Sequence, residues 1–438
     1  MEGPAAVSQQ GETTTQPRVS AVASDDGANE AGTGTHAGAD RAAAVGTRLP
    51  DMTYSDQETE LRSAVRSVLA DKAAWPAVLA RTETPQTYDT GLWRTLAAEI
   101  GCAGLLVPEP LGGAGASFRE AAVVAEEIGR ALAPVPFLGS AVIATVALLS
   151  AAAAGSAEEA GASGPAATLI AGLAAGTTTV ALAVPFAMMP GSRIERTVRV
   201  GPPPDHGSAA YQLTGAVAGV ADALPADVLL VPADGVPFGL YVVPVADSGV
   251  TVAPVTSLDM TRQLADISLA EASATRIAAG PAAEQAIAAA LRAGAAMLAA
   301  EQLGLADQAL EVTVAYVKQR QAFGRPVGSF QAIKHRLADL WVSVVQARAA
   351  SRYAAACLAD EDADAQVAIA LAKATCSDTA LLAGQEMVQL HGGIGFTWEH
   401  PAHQYLKRAK ADSIALGTAD RHRASLAALV DLPRAPVS

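Results

Sequence analysis

The chain has 438 residues, of which 51% are hydrophobic but only 4% aromatic, so alanine, valine and leucine must build its core. Its formal net charge of −14, without a Lys/Arg-rich run to offset it, argues against a nucleic-acid partner. Three widely spaced cysteines without a CxxC pair argue against a disulfide framework or a zinc site, and favour reduced thiols in a cytoplasmic protein.

The first fifty residues are rich in Gly, Ala, Ser and Thr, and they lack the basic start and apolar stretch of a signal peptide. This composition predicts a disordered tail over residues 1–50. Two later apolar runs are alanine-rich, but Ala141–Ala154 is too short to span a bilayer, and polar side chains interrupt Ile277–Ala300. We therefore predict no membrane insertion.

Residues 51–175 show the period of amphipathic helices, with apolar side chains three and four positions apart, as in Leu61 and Val65. Ser55 followed by Glu58 fits a capping box that begins the first of these helices. A Gly/Ala/Ser-rich stretch ends the segment. The pattern predicts an N-terminal helical domain over residues 51–175.

After residue 175 the pattern changes to short β-branched runs separated by Pro, Gly and Asp. It predicts an antiparallel β domain over residues 176–279, with strands at Thr179–Val184, Arg196–Val200, Val228–Val231, Leu240–Pro244 and Val250–Val255. Helical periodicity returns over residues 280–432, where it predicts a bundle of four helices. The fold class is therefore α+β, with a helical domain, a β domain and a helical bundle in that order.

Three stretches of the sequence together resemble the acyl-CoA dehydrogenase family. They are Trp93–Gly115, Tyr316–His335 with its Arg-Gln-Ala-Phe-Gly, and Gln389–His400 with its Gln-Leu-His-Gly-Gly. Each is a weak signal alone, but their joint occurrence, order and spacing are hard to obtain by chance. The resemblance covers roughly residues 50–430. It implies the same three-part layout, usually assembled as a tetramer.

The resemblance also implies FAD, bound across a subunit interface. An arginine would neutralise the pyrophosphate, and glycines would let backbone amides approach the phosphate oxygens. The residues that the resemblance assigns to the cofactor are Arg320, Phe323, Gln389, Gly392, Gly393 and Thr418. Without the resemblance, Gly392 and Gly393 would be interpreted as the end of a helix, and Arg320 as a surface cation.

Family members use a glutamate to remove a proton from the α carbon of an acyl-CoA, while hydride leaves the β carbon for the flavin. The glutamate usually precedes a Gly-Thr pair, but here Leu416 precedes Gly417-Thr418. In some branches it lies on the first bundle helix, where an ungapped count reaches Gly294. Neither residue accepts a proton, so no catalytic residue is assigned.

The middle domain departs from the family as well. Gly219 and Ala221 stand where the family has a tryptophan and a threonine that contact the flavin ring. The resemblance therefore implies a chain that keeps the neighbour's cofactor contacts but lacks its own base and ring contacts. This asymmetry predicts a heterotetramer with a catalytic paralogous subunit. The expected substrate is a fatty or sterol-derived acyl-CoA, and the expected electron acceptor is an electron-transferring flavoprotein.

Two alternatives stay open. The chain could be a self-sufficient homo-oligomer with a non-standard base, such as Asp412 or Asp420, or a non-catalytic scaffold that has lost flavin.

Two further polar groups are interpreted as structural. The histidines His391, His400 and His403 lack metalloprotease spacing, so no metal site is predicted. Asp259 and Arg262, three positions apart, are predicted to form a local ion pair.

Overall fold

The computed structural model describes residues 51–154, 164–201 and 211–433. The tail predicted over residues 1–50 lies outside these residues. In chain order the described residues form helices, then a β-sheet, then helices, which confirms the α+β class. All three segments belong to one compact unit, so their boundaries as separate domains stay predictions.

Among the described residues, six α-helices precede the sheet. The predicted capping box is present: the Glu58 amide donates to the Ser55 hydroxyl at 3.1 Å, and the Ser55 amide donates to the Glu58 carboxylate at 2.6 Å. A π-helical segment, Phe137–Ala144, leads directly into the fifth helix. Helices α1 to α6 are Asp56–Lys72, Trp75–Thr82, Thr90–Arg94, Phe118–Ala131, Thr145–Ala154 and Pro165–Ala174.

A sheet follows, with seven strands in the residues that the structure describes. Strands β1 to β7 are Val180–Leu182, Val198–Val200, Tyr211–Ala221, Val228–Ala233, Gly239–Pro244, Val250–Pro254 and Leu264–Ala279. Their order is β1-β4-β5-β7-β3-β2, with β6 also paired to β7. The described strand pairs are antiparallel as predicted, except that β1 runs parallel to β4. The two longest strands, β3 and β7, escaped prediction because Ala, Gly, Ser and Thr dilute their β-branched signal.

Residues 281–429 form five helices rather than the predicted four. Helices α7 to α11 are Pro281–Gln319, Gln331–Ala359, Ala365–His391, Ala402–Asp412 and Ala419–Leu429. The two short helices, α10 and α11, both pack against α9. A loop at residues 413–418 separates them, because Leu416 and Gly417 there adopt positive φ angles that a helix does not allow.

Buried side chains form two cores, a larger one that joins the helices to one face of the sheet and a smaller one within the sheet. Within the described part of the chain, three helical segments could cross a membrane by length and composition alone: Phe137–Ala154, Pro281–Gln319 and Ala365–Phe396. Their most apolar windows are 67%, 83% and 67% buried inside the fold. Core packing therefore accounts for their apolar character.

Helices α4 and α7 cross at two reciprocal glycines. A Cβ placed on Gly129 would lie 2.0 Å from the carbonyl oxygen of Glu301, and one on Gly304 would lie 1.8 Å from that of Glu126. Both distances are far inside van der Waals contact, so no larger residue fits unless the helices separate. The glycines thus place the two backbones in direct contact.

A buried ion network joins the sheet to the bundle. Arg262 and Arg408 donate to the Glu301 carboxylate at 2.5 and 2.6 Å. Arg262 also donates to Asp412, and Arg408 donates to Asp259, each at 3.0 Å. The predicted local pair between Asp259 and Arg262 is therefore wrong. Both side chains are buried and face opposite charges on the bundle helices instead of each other.

Candidate functional site

Arg320 and Phe323 lie on an exposed hairpin at the end of α7. Two short strands form it, β8 (Gln321–Ala322) and β9 (Arg325–Pro326). Phe323 is 94% exposed. The Arg320 guanidinium has no acidic partner among the residues that the structure describes. An exposed ring beside an unpaired arginine suits contact with a ligand or another subunit.

The second predicted cofactor segment lies where α9 ends. Gln389 is exposed in the last turn, and Gly392 adopts φ 62° and ψ −138°, a conformation that favours glycine. A Cβ on Gly392 or Gly393 would meet nothing within 4 Å. The backbone of this turn therefore faces open space, and its amides can approach a ligand closely.

Tyr316 connects these two segments. Its ring stacks on His391 with centroids 4.2 Å apart, and its hydroxyl donates to the His391 carbonyl at 3.4 Å. Tyr316 lies one turn before Arg320, and His391 directly precedes Gly392. The structure thus brings the Arg320 hairpin and the Gly392 turn together, and we call them the hairpin–turn surface.

The three histidines pack by ring contacts. His391 Nδ1 donates to the Met387 carbonyl at 2.7 Å, and the His391 and His400 ring centroids are 4.2 Å apart. His403 packs edge-on against Trp398. Burial lowers the pKa of His400 to about 4, which keeps its ring neutral at physiological pH. Within the described ranges no group of three or more possible ligands could hold a metal ion.

Thr418 lies apart from the hairpin–turn surface. Lys373 on α9 donates to the neighbouring Gly417 carbonyl at 3.4 Å. Lys373 and His391 are 18 residues apart on the same helix, which is about 27 Å along its axis. The predicted cofactor residues therefore occupy two locations, with Thr418 beside Leu416 in the second.

At that second location, both positions that the resemblance assigns to the catalytic base meet. A Cβ placed on Gly294 would lie 3.2 Å from Cδ1 of Leu416 and 2.8 Å from Cγ1 of Ile143. Leu416 and Ile143 are 1% and 6% exposed. The contact is apolar and closed, and a carboxylate side chain at position 294 would not fit without displacing its neighbours.

Three hydrogen bonds hold the backbone of Leu416 and Gly417 in the loop at residues 413–418. The Leu416 amide donates to the Phe186 carbonyl at 2.7 Å, and His422 Nε2 donates to the Leu416 carbonyl at 2.9 Å. Lys373 provides the third, and burial lowers its pKa to about 8. These bonds fix Leu416 at a φ of 54°. Sequence reasoning missed Lys373, whose only signal was a cation within the apolar helix α9, and His422, which lies between two arginines on the polar helix α11.

The two alternative bases lie in different settings. Arg262 donates to Asp412 at 3.0 Å, and Arg408 Nε lies 3.4 Å from its second oxygen without forming a hydrogen bond. Burial raises the pKa of Asp412 to about 7, even though two arginines lie beside the carboxyl. The Asp420 side chain is 94% exposed and pairs with Arg423. Neither setting is an open pocket beside Leu416.

The middle-domain positions lie on β3. Gly219 adopts a φ of 65° at a break in the pairing with β7, and a Cβ there would meet nothing within 4 Å. Its carbonyl accepts from the Phe186 amide at 2.9 Å, which places it next to the residue that holds Leu416. Ala221 is buried. A larger side chain at position 219 would therefore project into open space that this chain leaves unfilled.

The sequence of this chain matches one protein family at both ends. Residues 55–165 match the profile of the acyl-CoA dehydrogenase N-terminal domain, and residues 263–430 match that of the C-terminal domain. The chain belongs to the acyl-CoA dehydrogenase family, as the three sequence stretches predicted. Proteins of this family bind FAD and oxidise CH–CH donors, which confirms the predicted cofactor.

Among its relatives, the acyl-CoA dehydrogenase IpdE2 of Mycobacterium tuberculosis is 36% identical over 358 residues, covering 82% of this chain and 92% of that protein. A solved structure titled "Tcur3481-Tcur3483 steroid ACAD G363A variant" is 31% identical, with a TM-score of 0.71 and coverage of 86% and 98%. The ChsE4-ChsE5 complex of M. tuberculosis is 26% identical, with a TM-score of 0.74 and coverage of 88% and 100%.

The hairpin–turn surface fits part of an FAD molecule. The Arg320 guanidinium has no acidic partner among the described residues, and the turn at Gly392 and Gly393 has accessible backbone. Together they match the charge and hydrogen-bonding needs of a pyrophosphate. Gln389 and Phe323 are exposed on the same surface. The assignment of these individual residues to FAD stays a prediction.

Proposed function

We propose that this chain is the non-catalytic subunit of a heteromeric, FAD-dependent acyl-CoA dehydrogenase that introduces an α,β double bond into an acyl-CoA. A paralogous subunit carries the catalytic glutamate and the ring pocket. This chain completes that subunit's cofactor site through Arg320, Phe323, Gln389 and the Gly392–Gly393 turn. The bound FAD supplies the acceptor for hydride from the substrate.

One observation carries this proposal: the Ile143, Gly294 and Leu416 contact, where both base positions are apolar and closed against each other. Proton removal from an α carbon needs a carboxylate within hydrogen-bonding reach. At the Gly294–Leu416 contact the side chains are hydrocarbon, while the hairpin–turn surface is exposed and carries Arg320 and Gln389. A chain with this asymmetry can bind cofactor for a neighbour without turning over substrate itself.

The heteromeric state has support from two similar structures that are named for two components, the Tcur3481-Tcur3483 steroid ACAD and the ChsE4-ChsE5 complex. We extend this to the proposal of a heterotetramer that acts on a bulky, sterol-derived acyl-CoA in the cytoplasm. An electron-transferring flavoprotein would reoxidise its flavin. These finer assignments rest on similarity to proteins other than this chain.

The test compares the chain purified alone with the chain co-expressed with a neighbouring paralogue. The assay is reduction of an artificial electron acceptor across straight-chain, branched and sterol-like acyl-CoA esters. We expect turnover only in the co-expressed sample, with FAD seen by its absorbance. Robust turnover by the chain alone would contradict the proposal, and a colourless co-purified complex would favour the flavin-free scaffold.

A matched pair of variants tests the closed contact. Leu416→Glu restores a carboxylate, and Leu416→Gln has the same shape without a base. Because Ile143 and Gly294 leave no space for substrate beside this side chain, neither variant should acquire turnover when purified alone. Activity of Leu416→Glu that Leu416→Gln lacks would show that substrate already reaches this location.

A further inference from the structure

His391 lies where the two halves of the hairpin–turn surface meet. Its side chain is buried, and its ring contacts Tyr316 from α7 and His400 from the segment before α10, with centroids 4.2 Å apart in each case. His391 is also the last residue of α9, so its backbone leads directly into Gly392 of the turn. A shift of this ring would therefore move the turn relative to the Arg320 hairpin.

The hydrogen bonds of His391 are those of a neutral ring. Nδ1 donates to the Met387 carbonyl at 2.7 Å, so Nε2 would carry a proton as well only in the charged form. Nε2 is buried and has no hydrogen-bond partner among the described residues. Charging the ring would thus bury an N–H donor and a positive charge without an acceptor. Burial accordingly lowers the pKa of His391.

The groups around this ring do not compensate for such a charge. Tyr316 presents a neutral phenol, and His400 is neutral because its Nδ1 accepts from the Ala402 amide at 3.2 Å. Burial and the neighbouring Lys407 lower the pKa of His403, the third imidazole. In the described part of the chain, no carboxylate stabilises a positive charge on any of the three imidazoles.

We propose that His391 is a positioning residue for the cofactor, whose neutral ring holds the Gly392–Gly393 turn against the Arg320 hairpin and whose protonated ring releases it. This inference rests on the proposed function, in which the turn and the hairpin together bind one FAD pyrophosphate. His391 acts through the backbone of the turn, because its own ring is packed inside the protein.

The pH dependence of this contact has a definite sign. A released His391 ring takes up a proton at the ordinary pKa of 6.5, whereas the packed ring resists protonation. The packed arrangement is therefore fully stable above pH 6.5 and is lost as the pH falls below that value. Each pH unit in that window can favour the released ring by up to about tenfold.

Matched variants of the complex co-expressed with the paralogue separate the ring from its proton. His391→Phe keeps a flat ring that cannot be protonated, and His391→Leu removes the ring. Tyr316→Phe and Tyr316→Leu are the matched pair on α7. At pH 7.5, FAD affinity measured by flavin fluorescence should fall about two- to tenfold in each leucine variant, since an aromatic pair contributes that much. It should stay near wild type in each phenylalanine variant.

The pH profile is the readout that a merely structural role would not change. Between pH 7.5 and pH 5.5, wild type should lose about threefold or more FAD affinity beyond any loss in His391→Phe, because only wild type can gain a proton at this position. Equal profiles for the two proteins would overturn the inference.

Hydrogen exchange followed by mass spectrometry reports on the turn without any flavin. Peptides that cover residues 387–397 should exchange faster in His391→Leu and Tyr316→Leu than in wild type and the phenylalanine variants. Unchanged exchange in both leucine variants would also overturn the inference. Faster exchange in those variants, with no FAD in any sample including wild type, would support the role of the ring and count against the proposed function only.

Discussion

Replacing Glu301 by glutamine should destabilise the protein far more than its conservative shape implies. Arg262 and Arg408 are 5% and 1% exposed, and both donate to this carboxylate. Burial alone would raise the pKa of Glu301, but the two guanidinium groups hold it below its ordinary value, so the residue is ionised. Glutamine would leave two buried cations undercompensated and would direct N–H groups towards them. We expect a loss of about 3 to 5 kcal/mol in the free energy of unfolding.

The matched control is Glu386→Gln, since Glu386 accepts two hydrogen bonds from Arg336, whose side chain is 46% exposed. Solvent screens this pair, so its loss should cost about 0.2 to 1 kcal/mol. Urea unfolding followed by circular dichroism gives both values from the midpoint and slope. Equal destabilisation by the two variants would refute the argument that burial makes loss of the Glu301 carboxylate costlier than loss of an exposed ion pair.

Three further outcomes are expected. Arg320→Ala should lower FAD retention in the assembled protein by about tenfold or more, and equal flavin absorbance after gel filtration would contradict its cofactor role. Burial lowers the pKa of His422 to about 4 from an ordinary 6.5, so the unfolded chain takes up a proton first and stability falls as pH drops through that window. His422→Gln should lessen this fall, measured as Tm at pH 7 and pH 5 against wild type. A truncation that begins at Met52 should still assemble, and aggregation on gel filtration would contradict the predicted tail.

The sequence predicted the order of helices, sheet and helices, because hydrophobic period is a local property. Prediction from the sequence failed where the hydrophobic periodicity was weak, and where residues far apart in the chain contact each other. Strand β7 alternates buried Ala265, Ile267 and Leu269 with exposed Asp266 and Ser268, a period-two signal that its small residues made easy to overlook.

The site shows the same division between local and distant information. The Gln-Leu-His-Gly-Gly and Arg-Gln-Ala-Phe-Gly stretches were recognisable, and each is local. In contrast, Gly294 and Leu416 are more than a hundred residues apart, and only the packed structure shows that they touch. The predicted ion pair between Asp259 and Arg262 was wrong for the same reason. The two residues are close in sequence, but in the fold each is buried against an oppositely charged side chain of the bundle helices.

The crossing of α4 and α7 limits how a chain like this one can diversify. At Gly129 and Gly304 the two backbones touch, so neither helix can slide or rotate to enlarge a binding site without losing that contact. A change of ligand preference that keeps this contact must therefore come from the loops, such as the one after β1, because the two helices stay fixed against each other. A single alanine at either glycine would push the two helices apart and shift the surfaces that they carry.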